Sequence, residues 1–180
     1  MAEYQDVIMA GFGGQGVMLI GNLLAQAGME QGLEVSFIPV YGAEMRGGTA
    51  NCNVILSDTP VGSPIVQHPN VLMVMNNPSL DKYEDTVAPG GKIFVDSTLI
   101  GRKVRRTDVE AYYIPATGLA GEMGVPTLAN MLLLGALVEK TGCVRFDSIA
   151  PALHKVIPAR KADLFDVNMK AVEAGKAYQG

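Results

Sequence analysis

Six residues near the start of the chain, Gly11-Phe12-Gly13-Gly14-Gln15-Gly16, have the composition of a loop that cradles an anion. Gly11, Gly13 and Gly16 match the G-x-G-x-x-G spacing between an apolar run, Val7 to Ala10, and an apolar helical pattern. The first glycine permits a tight turn and the second lets backbone approach a phosphate. The third lets helix and strand pack closely, with helix N–H groups facing the anion. A nicotinamide site asks for one thing more, an acid closing the second strand to bind the ribose hydroxyls. Here that strand ends Phe37-Ile38-Pro39-Val40; Glu34 sits at its start, Glu44 lies beyond it, and Arg46 is displaced from where a 2′-phosphate needs it. No Lys-Ser or Lys-Thr follows the glycines, so the turn is not a P-loop.

Thirty residues on comes a second constellation, Tyr41-Gly42-Ala43-Glu44-Met45-Arg46-Gly47-Gly48-Thr49. A solvent-facing loop does not need so many glycines beside so little net charge. A segment that threads tightly against another surface does. Glu44 and Arg46 then pair with each other, with a partner, or with a ligand at that surface. Elsewhere reactive groups are sparse. His68 and His154 are far apart and read as surface or structural residues, and no His/Cys/Asp grouping has metal-site spacing. Cys52, between Asn51 and Asn53, reads as a small buried strand residue, and no acid–base pair emerges. Two cysteines, Cys52 and Cys143, are too few for an iron–sulfur cluster, which takes about four thiolates. Their scarcity favours a reducing, cytoplasmic compartment.

The elements that must position these residues follow from apolar period. Val7 to Ala10 is an all-apolar first strand, and Val17 to about Gln31 a helix with Val17, Ile20, Leu23, Leu24 and Ala27 on one side and Gly32 as its stop. Glu34 to Ile38 is a second strand with Pro39 at its end. Ala50 to Leu56 is a third, too close to the second for a full crossover helix, which makes mixed or antiparallel pairing the expectation there. Strands follow at Val71 to Met75, Lys92 to Asp96 and Ala111 to Ile114, with a short helix capped by Ser79 between the first two. Thr117 to Gly124 reads as a Gly-rich loop, Pro126 as the first residue of a buried helix to about Lys140, and two more helices run from Asp147 and Lys161. The expected fold is α/β and three-layered, with a mostly parallel or mixed sheet, a Rossmann-like opening βαβ unit and one domain over 1–180.

Composition narrows the partners. Of 180 residues 21 are Gly, and charged residues are 18%, against about 25% in an average domain; with 10 Met, this points to a surface partly covered by another chain. Net charge is −4, and the lone basic cluster, Arg102, Lys103, Arg105 and Arg106, reads as a strand edge flanked by solvated residues, so nucleic acid is not expected. Uncharged stretches are interrupted by Gly, Pro and Asn or are too short to span a bilayer, and no basic region precedes an apolar segment as in a signal peptide.

Five stretches together, GFGGQGVMLIGNLLAQAG, PVYGAEMRGGTANCNVILSD, PGGKIFVDSTLI, YYIPATGLAGEMGVPTLANMLLLGALV and VNMKAVEAG, resemble the gamma subunit or gamma domain of the 2-oxoacid:ferredoxin oxidoreductases. The chain looks most like the branches acting on 2-oxoglutarate or 2-ketoisovalerate. The resemblance implies a non-autonomous subunit beside alpha and beta chains, often with a ferredoxin-like delta chain. It implies thiamine diphosphate on alpha and beta, iron–sulfur clusters on beta or delta, and CoA as co-substrate. By position, Gly11, Gly13, Gly14, Gln15 and Gly16, with Tyr41, Gly42, Glu44, Arg46, Gly47, Gly48 and Thr49, line the face toward the catalytic chains or CoA. Thr117 to Gly121, with Glu122, extend that face, and no catalytic residue falls on this chain. An independent nucleotide-binding oxidoreductase module and an architectural or regulatory subunit without a ligand are the alternatives.

Overall fold

The computed structural model describes residues 4–41 and 49–180. Its centre is a six-stranded sheet of β1 (Tyr4–Phe12), β2 (Glu34–Tyr41), β3 (Thr49–Ser57), β4 (Val71–Val74), β5 (Lys92–Asp96) and β6 (Glu110–Ile114), in the order β2-β3-β1-β4-β5-β6. β1, β4, β5 and β6 are parallel neighbours, and β3 runs antiparallel to both β1 and β2. The sheet is therefore mixed. The opening strand–helix–strand unit is present, but β3 lies between its two strands.

β1 alternates with a period of two between the two faces of the sheet. Val7 and Met9 enter the larger core with α1 (Val17–Glu30), α3 (Ala116–Glu122), α4 (Ala129–Thr141), α5 (Ile149–Val156) and α6 (Phe165–Ala177). Ile8 and Ala10 enter the smaller core on the other face, under α2 (Asn77–Tyr83) and the loops at 58–70 and 97–109. All four residues are at most 4% exposed, as expected for a strand covered on both sides. α4 is apolar around most of its circumference, with every residue from Ala129 to Val138 buried. It crosses α6 at Gly135 and Gly175, where backbones meet directly: a Cβ on Gly175 would land on the Leu132 carbonyl, and one on Gly135 on that of Val172.

Four local expectations are corrected. β2 continues through Pro39 to Tyr41, because it is an edge strand and the missing N–H costs no inner ladder bond. α2 is capped by Asn76, whose Oδ1 accepts the Ser79 N–H at 2.8 Å, so Ser79 is the capped residue and not the cap. Residues 116–122 are helical despite Gly118 and Gly121, since Ala116 and Ala120 bury one side of the turn in the larger core. The basic cluster is in the 97–109 loop and not on a strand. Arg102 bridges Asp81 (2.6 Å) and buried Glu84 (2.8 Å), Arg106 holds Asp108 (2.6 Å), and Lys103 lies over Tyr113. Its charges are thus largely spent on pinning the loop. Among the described residues no helix is long and apolar enough to cross a membrane.

Candidate functional site

The glycine turn leaves the carboxyl end of β1 and enters α1. In open α/β sheets this end of a strand is where ligands bind. Gly14 (φ +96°) and Gly16 (φ +75°) both adopt backbone conformations that L side chains resist. Gly16 is the N-cap of α1, and no side chain caps the first turn there; that turn also carries no acid. Its N–H groups form the positive end of a helix whose own first turn carries no carboxylate.

Two carboxamides hold the turn. The Gln15 side chain folds back, its Oε1 accepting the Phe12 N–H at 2.6 Å and its Nε2 donating to the Met75 carbonyl at 3.1 Å. It thereby ties the end of β1 to the end of β4, so its amide holds the scaffold together. Asn130, at the start of α4 and only 2% exposed, donates from Nδ2 to the Gly16 carbonyl at 3.2 Å.

Two clefts open on either side of Gly14. One, of about 370 Å³, is lined by Phe12, Gly13, Gly16, Val17, Leu19 and Ala50; the other, of about 280 Å³, by Gln15, Met75, Leu99, Thr117, Pro126 and Thr127. Among the described residues neither lining includes a charged side chain. Leu99 is 42% exposed and Met123, just beyond α3, 40%. A third cleft, of about 210 Å³ beside Gln5, Asn70 and Lys92, opens at the opposite end of the sheet, against the amino ends of β4 and β5.

The second motif meets the first through sheet register. Thr49 pairs with Phe12, and Tyr41 pairs with Ala50, so both boundaries of the motif sit at the sheet end that carries the glycine turn. Gly42, Glu44, Arg46, Gly47 and Gly48 lie outside the described residues. Thr117 joins the same end by another route. Asp96, fully buried at the end of β5, accepts the Thr117 hydroxyl at 2.6 Å and the Thr98 N–H at 3.1 Å, and Thr98 Oγ1 accepts the Gly118 N–H at 3.0 Å. Asp96 and Asn130 are the site residues that sequence reasoning missed. Asp96-Ser97-Thr98 after a strand is a recognisable turn signal. Asn130 had only its polarity within an apolar helix to mark it.

Cys52 is buried under α1, with its thiol directed to the Val17 carbonyl at 3.6 Å, and burial pushes it up to about 12. Burial raises the Cys143 thiol as well. Two buried cysteines fall short of the roughly four thiolates that a cluster takes, so these residues by themselves do not fit iron–sulfur ligation. Among the described residues no group of three His, Cys, Asp or Glu is placed to hold a metal ion. His154 instead stacks on Phe165 at 3.8 Å.

Comparison with known proteins agrees with this geometry. Residues 6–178 match the family model for pyruvate ferredoxin/flavodoxin oxidoreductase. A ketoisovalerate oxidoreductase subunit, VorA, of Methanothermobacter thermautotrophicus is 42% identical over 96% of this chain, which spans only 36% of that subunit's length. The gamma subunit of a keto/oxoacid ferredoxin oxidoreductase from Geobacter sulfurreducens superposes with a TM-score of 0.82 at 27% identity, covering 95% of both chains. A 2-oxoglutarate:ferredoxin oxidoreductase from Magnetococcus marinus, solved with 2-oxoglutarate, coenzyme A and succinyl-CoA bound, superposes with a TM-score of 0.88 at 26% identity; the match covers 98% of this chain and 31% of that one. With the match running from the first strand to the last helix, the chain belongs to the pyruvate ferredoxin/flavodoxin oxidoreductase family.

Proposed function

We propose that this chain is the gamma subunit of a cytoplasmic, thiamine diphosphate-dependent 2-oxoacid:ferredoxin oxidoreductase of the 2-oxoglutarate or 2-ketoisovalerate type. The complex would convert a 2-oxoacid and CoA to acyl-CoA and CO₂, passing two electrons to ferredoxin. Thiamine diphosphate belongs on alpha and beta chains and the clusters on beta or a ferredoxin-like delta chain. The observation that carries this reading is that both boundaries of the second motif sit at the sheet end of the glycine turn, Phe12 opposite Thr49 and Tyr41 opposite Ala50, beside clefts whose described lining is uncharged and partly apolar. That end suits a subunit which packs against catalytic chains and presents backbone N–H groups to CoA at their boundary. Support comes also from the gamma subunit that matches over nearly its whole length and from the longer relatives, of which this chain covers about a third.

Co-expression with the alpha and beta chains tests the proposal. The assembled complex should reduce ferredoxin with a 2-oxoacid and CoA, and the lone chain should not. Activity from the lone chain would overturn it. Calorimetry of the pure chain with NAD, NADP and FAD tests the alternative; saturable binding of any of them would favour an independent nucleotide-binding module.

A further inference from the structure

We infer that Asn130 is a positioning residue for the glycine turn, setting how its backbone meets CoA; this rests on the function proposed above. Asn130 opens a helix whose next eight residues are all buried and almost wholly apolar, and a carboxamide there is costly unless both ends are bonded. Both are. Its Oδ1 accepts the Met131 N–H at 2.9 Å, and its Nδ2 donates to the Gly16 carbonyl at 3.2 Å. The same carbonyl accepts the Ile20 N–H at 3.2 Å, the first bond of α1, so Asn130 takes up the carbonyl's remaining capacity. The amide also occupies the space a Cβ on Gly16 would fill. Packing alone would be met by Leu or Ala at this position. The carboxamide does something those cannot: it latches the turn, 114 residues away in sequence, onto α4. Pro126, Thr127 and Ala129, just before Asn130, form one wall of the cleft whose other wall is Gly14 and Gln15. Through Asn130 the wall and the turn become one rigid unit, so that the N–H groups at the α1 terminus and the cleft beside them keep a fixed relation.

The test uses the assembled complex. Asn130→Asp keeps the volume and the Met131 bond but removes the donor, and Asn130→Ala removes both. Each should raise the KM for CoA about three- to tenfold, the worth of one net hydrogen bond, with kcat within about twofold. Ser148→Ala, a buried hydroxyl bonded to the Arg145 carbonyl and remote from the turn, should lower stability without moving that KM. Hydrogen exchange at the amides of residues 13–18 should quicken in N130D and stay unchanged in S148A. If N130D leaves both the KM and those amides as in the parent, the inference is wrong. Phe12→Glu separates this from failure of the underlying proposal. A loss of assembly or of CoA affinity in F12E, with N130D silent, overturns the role of Asn130 alone. If F12E assembles and binds CoA as before, the placement of CoA at this face is wrong and the inference falls with it.

Discussion

Replacing Gly14 and Gly16 by Ala, one at a time, asks whether the turn is held by its own backbone or by Asn130. Both positions have positive φ, so each Ala carries the cost of a left-handed conformation, about 1–2 kcal/mol. At Gly14 that is the whole cost, since among the described residues nothing lies within 4 Å of the added Cβ. At Gly16 the Cβ displaces the Asn130 amide, breaks its bond to the Gly16 carbonyl and strands a buried donor, adding about 1–3 kcal/mol. G16A should therefore be less stable than G14A by that increment. Urea unfolding resolves it: with a slope of about 2 kcal/mol/M, the midpoint of G16A falls roughly 0.5–1.5 M below that of G14A. In a double-mutant cycle, N130A should relieve part of the G16A cost, with a coupling of at least about 1 kcal/mol. Equal losses in G14A and G16A with zero coupling would show that Asn130 and the turn are energetically independent, and the reasoning would be refuted.

Gly175→Ala should cost about 3 kcal/mol, seen as a fall of roughly 6–12 °C in Tm, because its Cβ meets backbone of α4 that cannot step aside; a fall under about 2 °C would mean the helices slide apart freely. Cys52, pushed up to about 12, should resist iodoacetamide in the folded chain at pH 8 and react only at the rate of unfolding; prompt alkylation would refute the buried placement. Asp6 is half-buried, and burial raises its carboxyl above the ordinary value against the opposing backbone bonds, including the Asn70 N–H at 2.7 Å. With the folded pKa raised, its favourable contribution is complete below the unfolded carboxylate range and is lost as pH rises through the folded value. Asp6→Asn, always neutral and still able to accept that bond, should gain stability relative to the parent between about pH 3 and pH 6 in urea titrations; a relative loss over that interval would contradict the sign.

Much of the scaffold is written locally. The apolar runs Val7 to Ala10 and Ile93 to Val95, the one-sided pattern from Val17 and the stop before Gly32 mark β1, β5 and α1, because period and turn chemistry act within a few residues. The Gly11 to Gly16 turn was legible for the same reason, as was the burial of Cys52. Partner and context decided the rest. Pro39 ends a strand by local rule, yet β2 runs through it since among the described residues no strand pairs on its outer side. Gly118 and Gly121 argue for a loop, yet the burial of Ala116 and Ala120 outweighs two weak propensities. The insertion of β3 between β1 and β2 depends on pairings over tens of residues, which no window of sequence contains. The turn from Gly11 to Gly16 divides along that line. Its glycines and their spacing, a tight strand-to-helix turn with open N–H groups, belong to the sequence. What holds it, the Gln15 amide on Met75 and the Asn130 amide on Gly16, exists only once β4 and α4 arrive from 60 and 114 residues away. Side-chain hydrogen bonds of that reach leave no periodic trace, so only the tertiary structure could assign them.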